Sequence, residues 1–185
     1  MGKRMLMMIL ILITAMGVYA QEADTTQAEA VVQLKIIEPY PYVAVEMRGS
    51  YEQHEEAFGT LYQAGGTQGI MMSDYPFGIY YNGPANASED SLIWEIGMAV
   101  SDMDSVTAPL ILKKFPYTTL AFLVYEGPYD EEMNAAIQKV FHWISLNGYE
   151  EAGPLQEIYM TMPTQNESGN WVGQVEILVP VQKAQ

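Results

Sequence analysis

Beyond residue 30, apolar positions along the chain follow two rhythms. In short runs they alternate or cluster as strands do, and in two longer stretches they recur at helical spacing. Residues 31–37 and 42–47, punctuated by Pro39 and Pro41, read as strands. Ser50 is placed to cap a helix, with Glu52, Glu55 and Glu56 near its positive end and Phe58, Leu61 and Tyr62 as its apolar stripe. Gly65-Gly66 is the expected stop. Strands follow over 77–81 and 91–100, separated by a polar loop. The order then recurs. Strands over 110–114 and 118–125 flank Pro116, and Gly127-Pro128 opens a helix with Asp130, Glu131 and Glu132 in its first turn. Met133, Ala136, Ile137, Val140 and Ile144 share one face of that helix, and Asn147-Gly148 ends it. Strands over 155–162 and 171–181 complete the chain, joined by a loop over 163–170.

The recurrence extends to residues. Tyr51 and Tyr129 lie 78 positions apart, Tyr80 and Tyr159 79, Glu95 and Glu176 81. Gly78-Ile79-Tyr80 in the first copy stands where the second has Glu157-Ile158-Tyr159. The pattern predicts an α+β fold: a duplicated β-α-β-β unit, a largely antiparallel sheet with two helices on one side, and a ligand cleft between the repeats. The domain is expected over 31–183, with repeat one over 31–100 and repeat two over 108–182.

What precedes the pattern is of another kind. Lys3 and Arg4, an apolar run over 5–13 and the small-x-small Val18-Tyr19-Ala20 read as a signal peptide over 1–20, too short for a comfortable membrane span. Residues 21–30 read as a disordered lead-in. The expectation is an exported protein, periplasmic or secreted, with no stable membrane anchor after cleavage. The sequence has no cysteine, which removes both lipid attachment and disulfides from the account. Beyond residue 20 there are six basic side chains against 23 acidic ones, a net charge of −17. Such a surface repels phosphate backbones, so nucleic acid is excluded as a partner, whereas cationic small molecules are attracted.

Candidate chemistry is sparse. There is no nucleophile elbow, phosphate-cradling loop or dinucleotide fingerprint, so no cofactor is expected. His54 and His142 stand alone without ligand spacing, so no metal is expected, and both read as packing or surface residues. Glu95 and Glu176 differ, because each sits in a strand that is apolar on both faces. Such a glutamate either lines a desolvated cleft or points to water from an edge strand. Gly97 and Ala99 beside Glu95 leave room for a ligand. Tyr80, Tyr159 and Trp94 offer flat walls suited to an aromatic or cationic ligand. The two carboxylates and two tyrosines are expected to converge, with Glu176 making the ligand contact and Glu95 in support.

Tyr125-Glu126-Gly127-Pro128-Tyr129, Asn147-Gly148-Tyr149, Gly153-Pro154, Glu157-Ile158-Tyr159 and the strand from Val175 to Val181 resemble the GyrI-like small-molecule-binding family. The same domain forms the effector-binding half of many AraC-type and MerR-type regulators. The resemblance covers about residues 32–182 and implies a duplicated strand–helix–strand–strand fold with a ligand cleft between the copies. It implies a buried glutamate on the last strand, Glu176 here, surrounded by aromatic side chains, and uptake of lipophilic, often cationic compounds. The implied function is small-molecule binding. The alternative follows stand-alone members that resemble hydrolases of strained rings, and makes Glu176 a general base with Tyr159 beside it. The chain departs from the regulators in having no helix-turn-helix, and from many members in having Gln174-Val175 before the glutamate.

Overall fold

The computed structural model describes residues 30–71, 75–101 and 103–185. The leader expected over 1–20, and all but the last residue of the lead-in, lie outside the described residues. The strands are β1 (Gln33–Ile36), β2 (Tyr40–Arg48), β3 (Phe77–Tyr80), β4 (Ile93–Ala99), β5 (Ile111–Phe115), β6 (Thr119–Pro128), β7 (Tyr149–Glu151), β8 (Leu155–Tyr159), β9 (Thr164–Gln165) and β10 (Trp171–Lys183). The helices are α1 (His54–Thr67) and α2 (Glu131–Leu146). Each unit is therefore β-α-β-β, with β2-α1-β3-β4 repeated as β6-α2-β8-β10. Two short strands, β7 and β9, were not anticipated from the sequence and pair with the long β10.

Local details differ from expectation for identifiable reasons. Ser50 does accept a backbone N–H, from Glu52, but it caps a single 3-10 turn over Tyr51–Gln53 that leads into α1. Helix α1 runs through Gly65 and Gly66, because the next turn's carbonyls are still satisfied there. It stops just before Gly69, whose φ of +67° makes the left-handed cap. In the second unit Pro128 closes β6 rather than opening the helix, and Asp130 is the cap, its carboxylate accepting from Glu132 N–H at 2.8 Å.

All strand pairs are antiparallel, in the order β1-β6-β10-β8-β3-β4-β2-β5. The lead strand of each unit therefore completes the other unit: β1 sits outside β6, and β5 sits outside β2. In a flat sheet β1 and β2 would be six strand spacings apart, about 29 Å. The chain from Ile36 to Tyr40 reaches at most about 15 Å. The sheet must curl until its outer edges meet, and Ile37 N–H donates to Thr118 C=O at 2.9 Å where the two connections pass each other.

Strand alternation assigns the sheet's two faces to separate cores. One face carries α1 over Val43, Trp94, Ile96 and Met98 and α2 over Leu123, Val175, Ile177 and Val179. The curled face encloses Tyr42, Ala44, Phe77, Ile79, Phe115, Leu120 and Leu178. Full burial of each large aliphatic side chain here contributes about 1.5–3 kcal/mol. Gly97 belongs to the curled face, where an added Cβ would lie 2.8 Å from Val43 O and 3.0 Å from the Phe77 ring. The room expected beside Glu95 is thus already filled by protein.

Candidate functional site

The two units meet where β3 pairs with β8. In that register Gly78 faces Glu157, and these two are also each other's equivalents in the repeat. A residue paired with its own equivalent marks the pseudo-two-fold axis. One glutamate therefore sits on the axis of the molecule, facing a glycine. Gly78 has a steric role: a Cβ there would be 2.6 Å from the Tyr80 hydroxyl, so its absence lets that ring fold back towards the axis.

Glu157, Tyr80 and Tyr159 lie on the helix-bearing face, and their polar atoms form a chain. Tyr159 Oη is 3.2 Å from Glu157 Oε2 and 2.7 Å from Tyr80 Oη. Tyr80 Oη is in turn 2.9 Å from His54 Nε2 on α1, and His54 Nδ1 bonds the Tyr51 carbonyl. Glu157 is buried, and the described ion pairs, which join Lys35 to Glu176 and Lys113 to Glu46 and Glu95, leave it out. Burial pushes its carboxyl up to about 7, against smaller opposing effects of the hydrogen bonds from Tyr80 and Tyr159. Burial and the neighbouring Glu157 hold both phenols well above their ordinary value. Burial lowers the His54 imidazole, partly offset by its bond to Tyr51.

Aromatic rings wall this group from both units. Tyr51 stands edge-on to Tyr80 at 5.2 Å, and Phe58 and Tyr129 stand edge-on to Tyr159 at 5.5 and 6.5 Å. Trp94 lies under His54, with ring centres 4.5 Å apart, and is fully buried, donating to Gly49 C=O at 3.0 Å. It therefore supports the histidine rather than forming an open wall. The Tyr51 hydroxyl donates to Asn82 C=O at 2.8 Å, while its equivalent, Tyr129, has a buried hydroxyl with no partner among the described residues. Tyr51, Phe58 and Tyr129 are half-buried at the outer side of this group.

Glu95 and Glu176 do not join the tyrosines, contrary to the expected convergence. Both project from the opposite face of the sheet. In β4 and β10 they alternate with Trp94 and Val175, which point towards the helices. Glu95 is fully buried and bonded at 2.5 Å to Lys113 and at 2.6 Å to the Tyr42 hydroxyl. Glu176 is bonded at 2.6 Å to Lys35. Lys35 and Lys113 sit on the exchanged lead strands β1 and β5, so each pair ties a borrowed strand to its host unit. A shallow cavity of about 250 Å³ opens near Lys113 on this same face, lined by Tyr42, Tyr81 and Tyr117 among others, away from Glu157.

The structure thus unites Tyr80 and Tyr159 as expected and adds Glu157, His54, Tyr51 and Tyr129. Among the described residues there is no cluster of three or more side chains suited to a metal, and no helix is long and apolar enough to cross a membrane.

The family model of the GyrI-like small molecule binding domain matches residues 30–182. A search of curated protein sequences finds no match. Among solved structures, the EcmrR C-terminal domain superposes with a TM-score of 0.70 at 22% identity, over 84% of this chain and 99% of that domain. The chain spans 58% of EcmrR as it stands in a complex with DNA. A hydrolase from Listeria innocua aligns with a TM-score of 0.60 at 13% identity, covering 82% of this chain and 91% of its own. SAV2435 bound to tetraphenylphosphonium aligns with a TM-score of 0.51 at 14% identity, covering 82% of this chain and 94% of its own.

Proposed function

The chain belongs to the GyrI-like small-molecule-binding family, and from that premise we propose that it captures a hydrophobic cation between its two helices, with Glu157 as counter-charge. The observation that carries the reading is a carboxyl buried on the molecular axis, bonded to phenols and held at about 7. In water such a group would be an anion; here it lacks the cation that would make ionisation favourable. A lipophilic cation entering past Tyr51, Phe58 and Tyr129 supplies that charge, and the rings supply apolar contact and cation–π attraction. The partnerless Tyr129 hydroxyl offers the ligand one hydrogen bond. The carboxylate role read into Glu176 moves to Glu157, because Glu176 is engaged by Lys35 on the other face. With the leader expected over residues 1–20, the proposal is of capture outside the cytoplasm.

Tetraphenylphosphonium, carried by the related SAV2435 fold, is the first probe. Thermal shift and calorimetry on the full chain are expected to show saturable binding that Glu157→Gln weakens at least tenfold and Glu176→Gln leaves within a few-fold. Equal losses in the two variants, or no response in the wild type, would refute the assignment.

One observation also favours a hydrolase. A carboxyl near neutrality hydrogen-bonded to a phenol suits general acid–base work, typically worth about 10²–10⁴-fold in rate. Incubation with strained-ring electrophiles separates the readings: hydrolysed product in molar excess over protein means turnover, and stoichiometric capture means binding.

A further inference from the structure

The hydrogen-bond chain from Glu157 to His54 has a direction, and its proton count is fixed at both ends. A backbone carbonyl accepts and cannot donate, so His54 Nδ1 donates to Tyr51 C=O in every state of the site. A neutral His54 therefore presents a bare Nε2, which must accept from the Tyr80 hydroxyl. Tyr80 oxygen is then free to accept from Tyr159, and Tyr159 oxygen to accept from Glu157. Each of these three contacts holds one proton only if Glu157 is the neutral acid; Tyr80 also neighbours Glu157, but in this arrangement its single proton is given to His54. Reversing every bond gives the other complete arrangement: Glu157 ionised and accepting from Tyr159, Tyr159 accepting from Tyr80, and Tyr80 accepting from a doubly protonated His54. The two arrangements contain the same number of protons.

We propose that His54 is the proton store of this site: a cation bound beside Glu157 drives the carboxyl proton through Tyr159 and Tyr80 onto His54, so Glu157 becomes anionic while the site keeps its net charge and releases no proton to solvent. The step balances at each atom. Glu157 Oε2 loses a proton to Tyr159 Oη, Tyr159 Oη passes its own to Tyr80 Oη, and Tyr80 Oη passes its own to His54 Nε2. Each phenol breaks one O–H bond and forms one, the carboxylate gains a negative charge and the imidazole a positive one. His54 is a positioning residue in this scheme, since it acts on the ligand only through Glu157.

The titratable groups facing Glu157 are Tyr80 on β3, Tyr159 on its own strand, and Tyr51 and Tyr129 from the two helix-leading segments. Tyr51 and Tyr80 face His54, with Trp94 and Phe58 as its uncharged neighbours. Glu176 belongs to the far face. The relay joins the repeats: the carboxyl belongs to unit two, the imidazole to unit one, and the two tyrosines that bridge them are equivalents.

This inference rests on cation capture at Glu157, and the test separates the two. The described chain has two histidines, and His142 is exposed on α2, so imidazole ¹⁵N NMR of the full chain has an internal reference. Without ligand, His54 is expected as the neutral Nδ1–H tautomer at pH 7.5. With saturating tetraphenylphosphonium the imidazolium is expected to appear in proportion to the carboxyl still protonated in the free protein, about a quarter at pH 7.5 for an acid at about 7, while His142 stays unchanged. Calorimetry in buffers of different ionisation enthalpy is expected to give near-zero proton release for the wild type at pH 7. Tyr80→Phe and His54→Gln cut the path, and about half a proton per bound cation should then be released, as expected of an acid with a value of about 7. A His54 that stays neutral in the saturated wild type, or wild-type release equal to that of the cut variants, overturns the relay. If tetraphenylphosphonium does not bind, the capture reading falls, and an Nε2–H tautomer in the free protein would overturn the hydrogen-bond direction independently.

Discussion

Replacing Glu157 by glutamine should make the protein more stable, and the gain should depend on pH in one direction. The folded carboxyl is held at about 7 and a free glutamate at 4.5, so the folded state binds this proton more strongly than the unfolded state does. Between those values the unfolded chain carries fewer protons at this site, and stability falls as pH rises. Below about pH 4.5 both states hold the neutral acid and the site costs nothing. Above about pH 7 the whole penalty, about 3 kcal/mol, is present. Glutamine keeps the shape and the hydrogen bond to Tyr159 but cannot ionise. Urea denaturation of wild type and Glu157→Gln at steps between pH 4 and pH 9 reads the effect. The difference curve cancels the titrating groups that lie apart from this hydrogen-bond chain and should rise from near zero to about 3 kcal/mol, or ~6–12 °C in Tm for a chain of this size. His54 acts with the opposite sign: its lowered value costs stability as pH falls through its ordinary 6.5. A difference curve that is flat, or that grows towards acid, would refute the account of Glu157 as a carboxyl strained by burial.

Lys113→Ala should cost about 3–5 kcal/mol, because it strands the fully buried Glu95 with the hydroxyls of Tyr42 and Tyr81 as its neighbours. Lys35→Ala should cost less, since Glu176 retains some access to water, and chemical denaturation of the two variants side by side checks the order. Gly78→Ala places a Cβ 2.6 Å from a hydroxyl pinned between His54 and Tyr159, so it should destabilise by about 1–3 kcal/mol and weaken tetraphenylphosphonium binding by calorimetry.

The architecture was legible because it depends on periodicity, and periodicity survives in a single sequence. The two units, both helices and the antiparallel strands all follow from alternation, helical spacing and the 78-residue echo of Tyr51 in Tyr129. Tyr80 and Tyr159 were legible for the same reason. The glutamate was not, although its signal was present. Gly78-Ile79-Tyr80 against Glu157-Ile158-Tyr159 is the place where the copies differ by a carboxylate and a hydrogen atom, and a site on a symmetry axis has room for one such group. The matched glutamates are Glu95 and Glu176, which repeat because the clasp they form repeats. Their partners were legible too: Lys35 and Lys113 are 78 residues apart, the same interval as the tyrosines. Strand alternation alone could not say which face carries the helices, and so could not tell a cleft from a clasp. His54 looked isolated because its partners, Tyr51 apart, lie on strands that come near it only in the folded sheet.

The exchange of lead strands sets the order in which this chain can be assembled. β1 emerges early, and its partner β6 lies more than 80 residues further on. β10, which pairs with both β6 and β8, comes last of all. A ribosome or a translocation pore delivers residues in sequence order, so the first unit arrives with its own lead strand unmatched and its outer edge uncovered. Nothing inside that unit can supply the missing strand. Contacts of such long range form slowly, and here they wait for the final segment. The curled sheet therefore cannot close until β10 arrives to join β6 to β8.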